Sequence, residues 1–145
     1  MMAGIRSRNT APEVLLRKML HKRGLRFRLH RKSLPGSPDL TFPRYRAAVF
    51  VHGCFWHGHE CHLFKWPKTR TEFWVTKITG NRERDARTVE KITQLGWKAL
   101  VVWECELRRK EQDLRSFVDS IADSIRSTQP EMTPFAVHLA TAGSR

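Results

Sequence analysis

Residues 52–61 read His52-Gly-Cys-Phe-Trp-His-Gly-His-Glu-Cys61, and no other ten residues of the chain carry so many metal-capable side chains. That density limits how the chain can fold. Imidazole and thiolate are the ligands that zinc selects, and Cys54, His59 and Cys61 stand close enough in sequence for one ion to gather all three. A tetrahedral ion takes a fourth ligand, and Cys105 is the one cysteine left. The fold would then return residue 105 to the neighbourhood of residues 54–61. A cage closed by four protein ligands has no position for water, which makes the zinc structural. Free thiols beside incidental histidines are the plain alternative.

Three cysteines cannot pair fully, and there is neither a signal-like start nor a run of about 18 apolar residues. A reducing cytoplasm is expected, with no membrane span. The 145 residues suffice for one domain with a proper core, expected over residues 1–126, with residues 127–145 as a tail holding at most a short strand at Phe135 to Leu139. Lys and Arg number 27 against 14 Asp and Glu, a formal charge of +13 and a pI near 10.7, which favours a polyanionic partner. Nucleic acid is the usual one. The first 38 residues carry ten Lys or Arg and a single carboxylate, Glu13, so phosphate binding with a marked salt dependence is expected there.

Thr10-Ala-Pro-Glu13 combines a capping hydroxyl, an early proline and a capping-box glutamate, predicting a helix with Val14, Leu15, Met19 and Leu20 on one face and Gly24 as its stop. Residues 25–30 alternate apolar and basic side chains, the period of a strand. Turn residues 34–38 lead to a short strand at 39–42, and the continuous apolar run 47–51 suits a strand covered on both faces. Helical character from Glu72 is expected to break at Gly80-Asn81 and resume over residues 82–95, with Val89, Ile92 and Leu95 inward. Residues 97–103 read as a buried strand, and Leu114, Phe117, Val118, Ile121 and Ile125 form a helical stripe. This order predicts an α/β fold: a small mixed sheet with helices on both faces. If the strands at 47–51 and 97–103 are neighbours, the four zinc ligands meet at one end of the sheet.

Between Glu13 and Glu60 the only carboxylate is Asp39, placed at a strand start in cationic sequence. Asp39 and the main-chain carbonyl of Val51 suit a hard ion such as Mg2+, whose other positions would go to water and phosphate oxygens. A turn or capping role after Ser37-Pro38 is the other reading of Asp39. His57 and His52 are imidazoles able to take a proton near neutrality, although a histidine in this setting also fits a satisfied structural group. Phe55 and Trp56 are consecutive, so both rarely turn inward together. An exposed pair can wedge between base pairs; packing of Trp56 under the metal loop is the alternative.

From about residue 5 to Arg109 the chain resembles the very short patch repair (Vsr) DNA mismatch endonucleases. The marks are Ser33-Leu-Pro-Gly-x-Pro-Asp39, His52-Gly-Cys-Phe-Trp-His57 with His59 and Cys61, Thr69-Arg-Thr-Glu-Phe-Trp74, Asn81 with Arg84-Asp85, and Leu95-Gly-Trp97 leading to Val102-Trp-Glu-Cys105. The resemblance implies a restriction-endonuclease-like core with a structural zinc site, and nicking of one strand 5′ of the thymine in a T:G mispair. Asp39 matches the family's magnesium-binding aspartate and the Val51 carbonyl its main-chain ligand. His57 matches the residue that activates water, and His52 and Glu13 match supporting active-site positions. Cys54, His59, Cys61 and Cys105 match the zinc ligands, and Phe55 and Trp56 the intercalating aromatics.

The resembled proteins usually carry an N-terminal arm that closes over DNA. Here only Met1 to Asn9 precede the first helix, with Met2 as the residue placed to wedge from the other groove. The family's histidine run is interrupted by Gly58 and Glu60, neither on an assigned ligand, so the cage is expected to survive. Expected partners are double-stranded DNA bearing a T:G mispair, other mismatch-repair proteins and a repair polymerase, in the cytoplasm at the nucleoid. A monomer suffices to nick one strand at an asymmetric lesion. A zinc-stabilised DNA-binding module without activity, or a restriction-type nuclease on unmodified duplex, accounts for the same charge and ligands.

Overall fold

The Thr10 hydroxyl accepts the Glu13 amide at 3.3 Å and Pro12 occupies the first turn, so helix α1 runs Ala11–Lys22 in a computed structural model that describes residues 9–127. Its end is a Schellman turn. Gly24 lies at φ +86°, the Leu25 amide donates to the Leu20 carbonyl at 3.2 Å, and both leucines enter the core. The buried face of α1 is Glu13, Leu16 and Leu20 rather than the expected stripe; Leu15 is exposed, one position out of phase with the inward residues.

Strand β1 is only Arg28–Leu29, shorter than the alternation over residues 25–30 implied. Leu25 and Phe27 do pack inward, but Leu29 faces solvent. Strands β2 (Leu40–Phe42), β3 (Ala47–His52) and β4 (Lys98–Trp103) follow, in the order β1-β2-β3-β4. The sheet is mixed: β2 is antiparallel to β1 and β3, while β3 and β4 are parallel. A parallel pair requires a long crossover, which helix α2 (Thr71–Gln94) supplies.

Alternation sorts β3 and β4 between two cores. Ala47, Val49, Leu100 and Val102 face α1 and helix α3 (Glu111–Arg126), with Phe117, Val118, Ile121 and Ile125 packed against them. Ala48, Phe50, Ala99, Val101 and Trp103 face α2 through Ile92. Helices thus cover both faces, as the apolar runs implied. Lys98 is the exception within β4: its buried Nζ donates to the Ser124 and Ile125 carbonyls at 2.7 Å and 2.9 Å, closing the C-terminus of α3.

Two expectations about α2 fail. It is continuous over 24 residues, with no break at Gly80-Asn81. Asn81 spends its side chain on the Trp56 carbonyl, at 2.8 Å, instead of competing for its own backbone. Leu95, expected inside, is 55% exposed because the helix ends there in a second Schellman turn, with Gly96 at φ +86° and the Trp97 amide on the Ile92 carbonyl. The register pairs Val51 with Val102 and His52 with Trp103, so the segments after β3 and β4 leave the same end of the sheet. Met2 and residues 135–139 lie outside the described residues. Among the described residues no helix is long and apolar enough to cross a membrane.

Candidate active site and metal centre

Ile78, Asn81, Arg82 and Asp85 fall on one face of α2 by helical spacing, and that face grips the loop that follows β3. The Asn81 amide holds the Trp56 carbonyl, the Arg82 guanidinium donates to the Gly58 carbonyl, and His57 Nδ1 lies 2.5 Å from Asp85 Oδ2. The peptides on both sides of His57 and its ring are therefore all held by one helix. Gly58 stands at φ +63°, and a Cβ there would come within 2.5 Å of Arg82 Nε and 2.6 Å of Ile78 Cγ2, so the interruption of the histidine run seats α2. Asp85 stood among the marks of the resemblance without a role assigned to it, and Arg82 was not singled out. The four-residue spacing from Asn81 was the available signal, and the expected break at Gly80-Asn81 obscured it.

His52 stacks flat on His57, with ring centroids 3.8 Å apart and planes parallel. Burial, reinforced by the neighbouring imidazoles His57 and His59, holds the His52 pKa well below its ordinary value, so this ring is neutral at pH 7. His52, His57 and Asp85 have ligand-capable atoms within 4.8 Å of one another. The lone pairs of stacked rings lie in separate parallel planes and do not meet at one point, which is poor geometry for a shared ion. The set suits a base with an orienting carboxylate instead.

Asp39 enters the same cleft from just before β2, and its Oδ2 accepts the Val51 amide at 2.7 Å. Burial pushes its pKa from 3.8 to about 6, aided by nearby Glu13 and opposed by the Val51 N–H. Glu13 is 1% exposed, with Oε2 2.5 Å from His30 Nε2 and Oε1 accepting the Asn9 amide at 3.1 Å. His30 holds its ring there from a backbone at φ +46°. Nothing in the local sequence marked it. Glu13, His30 and Asp39 bring ligand-capable atoms within 4.8 Å of one another, and a carboxylate whose charge is poorly solvated in the bare protein fits a divalent cation. The cleft is about 730 Å³ and is also lined by Val51, His57, Trp56, Arg84 and Lys32.

A second cluster lies behind the loop. Cys54, His59, Cys61 and Cys105 place four ligand atoms within 4.8 Å of one another, which can hold a metal ion. The Cys105 amide donates to Cys54 Sγ at 3.3 Å and the Leu63 amide to Cys61 Sγ at 3.4 Å. His59 stacks on Trp103 at 4.1 Å. Burial pushes the Cys54 thiol far up and the Cys105 thiol to about 11. Thiols left neutral by burial, as at Cys54 and Cys105, are donors a dication converts to thiolates.

Phe55 and Trp56 are both half-buried, neither fully exposed nor fully core. Their rings meet edge-on at 5.2 Å, and Trp74 packs against both, at 5.4 Å and 5.7 Å. Trp56 also lines the cleft, so the aromatic pair adjoins the His57 and Asp39 site.

Comparison with known proteins identifies the family. The family model described as DNA mismatch endonuclease Vsr matches residues 1–63. The type II nicking enzyme V.XorIIP of Xanthomonas oryzae pv. oryzae is 49% identical over 122 residues, covering 82% of this chain and 90% of that protein. The DNA mismatch endonuclease Vsr of Escherichia coli is 51% identical over 111 residues, covering 77% of this chain and 71% of that one. The type II nicking enzyme V.NmeAIP of Neisseria meningitidis is 43% identical over 127 residues, covering 86% and 91%. With Asp39, His57 and the Cys/His cluster assembled as described, and relatives this similar over most of their length, the chain belongs to the Vsr family of DNA mismatch endonucleases.

Proposed function

We propose that this endonuclease nicks one DNA strand on the 5′ side of the thymine in a T:G mispair, with Mg2+ as cofactor, to begin very short patch repair. The observation that carries the reading is one cleft holding Asp39 beside the His57 and Asp85 pair, lined by Trp56 with Phe55 packed against it. Asp39 and the Val51 carbonyl would hold Mg2+, which supplies Lewis-acid stabilisation of the scissile phosphate when bound. Asp85 fixes the proton of His57 on Nδ1, leaving Nε2 as the base that takes a proton from an in-line water. Water oxygen bonds to phosphorus, the bond to the 3′ oxygen breaks, and that oxygen takes a proton from a water or from a basic side chain of the cleft such as Lys32, giving a 5′ phosphate and a 3′ hydroxyl. His52 buttresses His57, and Glu13, tied to His30, tunes the field at Asp39.

Cys54, His59, Cys61 and Cys105 would hold zinc as a closed structural site, on a core of the restriction-endonuclease kind formed as one unit by residues 1–126. Met2 is assigned the wedge from the opposite groove. The enzyme would act as a monomer on duplex DNA, at the nucleoid in the cytoplasm, with mismatch-repair proteins and a repair polymerase following it.

Asp85→Asn tests the base. The variant is expected to lose on the order of 10²-fold or more in single-turnover nicking, with DNA affinity retained, because an amide no longer fixes the tautomer. An unchanged rate would remove His57 from that role. The substrate is tested with Mg2+ and two otherwise identical labelled duplexes, one T:G and one fully paired. Cleavage confined to the T:G strand is expected. Equal cutting of both would make this a restriction-type nuclease, and cutting of neither a DNA-binding module.

A further inference from the structure

We propose that Phe55 and Trp56 are the inner end of a longer DNA-contacting row, whose outer end, Trp66 with Lys65, Lys68 and Arg70, grips the duplex flank beside the opened base step. This rests on the mismatch-nicking reading and deepens it.

Trp66 and Phe73 are 43% and 45% exposed, large apolar surface on a strongly basic chain. Both are joined to the wedge by ring contacts. Phe55 meets Phe64 at 5.8 Å and Phe64 meets Trp66 at 4.9 Å, while Trp74 links Phe55 to Phe73 at 5.4 Å and 5.1 Å. The row carries aromatic surface outward by a length on the order of two or three base-pair rises.

Its surroundings select the occupant. Residues 62–77 hold Lys65, Lys68, Arg70 and Lys77 against one carboxylate, Glu72. Arg70 lies over the Phe73 ring at 4.5 Å, so cation and π face are presented together. A polyanion whose bases offer π faces matches that mixture, and an apolar protein surface does not. The segment is also built rather than loose. Pro67 confines the Trp66 backbone to extended conformations, and the Thr71 hydroxyl donates to the Pro67 carbonyl at 3.1 Å, fastening the segment to the start of α2. Little ordering is then needed for Trp66 to meet DNA.

The test is fluorescence-anisotropy binding of the full chain to labelled T:G duplexes whose flanks are trimmed stepwise on one side or the other. Trp66→Ala is expected to weaken binding to the untrimmed duplex by about 10-fold, and Trp66→Phe to regain most of it. The difference should vanish on duplexes trimmed on one side only. Lys65→Ala with Lys68→Ala should lower the slope of log affinity against log salt by about 2. Wild-type nicking of the T:G duplex is the control: failure there overturns the mismatch reading and this inference with it. If wild type prefers T:G and Trp66→Ala binds every duplex equally well, the inference alone is overturned. Unchanged binding with loss of a dimer in sedimentation would assign the row to a second copy of the chain and overturn it likewise.

Discussion

Asp39→Asn is expected to reduce nicking by on the order of 10³-fold or more while making the metal-free protein more stable at pH 7. The two effects share one cause. The folded state raises the Asp39 pKa from 3.8 to about 6, chiefly by burying the carboxylate. Folded protein therefore binds that proton more tightly than the unfolded chain does, and ionisation opposes folding. The contribution is fully present below 3.8, is lost as pH rises through about 6, and does not change further above that. Removing the charge should return on the order of 2 kcal/mol at pH 7. Asparagine keeps the size of the side chain and an oxygen for the Val51 amide, so packing is preserved. Saturating Mg2+ should stabilise wild type and leave the variant unmoved. Single-turnover nicking and urea unfolding, with EDTA or with Mg2+, measure all of this. A variant that cuts normally would remove Asp39 from the metal site, and one destabilised in EDTA would refute the burial account.

The scaffold was legible where one physical rule governs each element. The uninterrupted apolar runs of β3 and β4 announce strands covered on both faces, and Gly24 and Gly96 mark helix ends because each takes a positive φ that other residues resist. Local rules misled where distant partners intervene. Gly80 and Asn81 look like a break, but the loop after β3 occupies the Asn81 side chain and the helix runs on. The Cys and His cluster, which could hold a metal ion, was readable because three of its four members fall within residues 54–61. The assignment that Cys105 joins them depended on β3 and β4 being neighbours, which the register bears out. The roles of Asp85 and His30 were not readable, since they come from pairing with His57 and Glu13 across elements. Such pairings belong to topology: spacing along α2 can put Asp85 on one face with Asn81, but it does not say that His57 meets that face.

With zinc in the cage as proposed, Cys105→Ala is expected to bring bound zinc well below one per chain, and to cost on the order of 3 kcal/mol or more of stability, the opposite sign to Asp39→Asn. Cys105 follows β4, whereas Cys54, His59 and Cys61 follow β3, so a four-ligand cage is a staple between strands whose connection passes through all of α2. In the bare protein burial keeps the Cys54 and Cys105 thiols neutral, Cys105 at about 11; a bound dication would turn them into thiolates whose binding free energy is folding free energy. The loss should also reach the cleft. The His59 amide donates to the Cys54 carbonyl at 2.9 Å and the His57 amide to Gly53 at 3.2 Å, so loosening the cage loosens the backbone that aims His57. Nicking should therefore fall with zinc content, and Mg2+ should not restore it. Zinc counted with a chromogenic chelator, beside urea unfolding, decides the matter. Full zinc occupancy in the variant would exclude Cys105 as a ligand, while zinc loss with unchanged stability would show that the sheet holds the two strand ends together unaided.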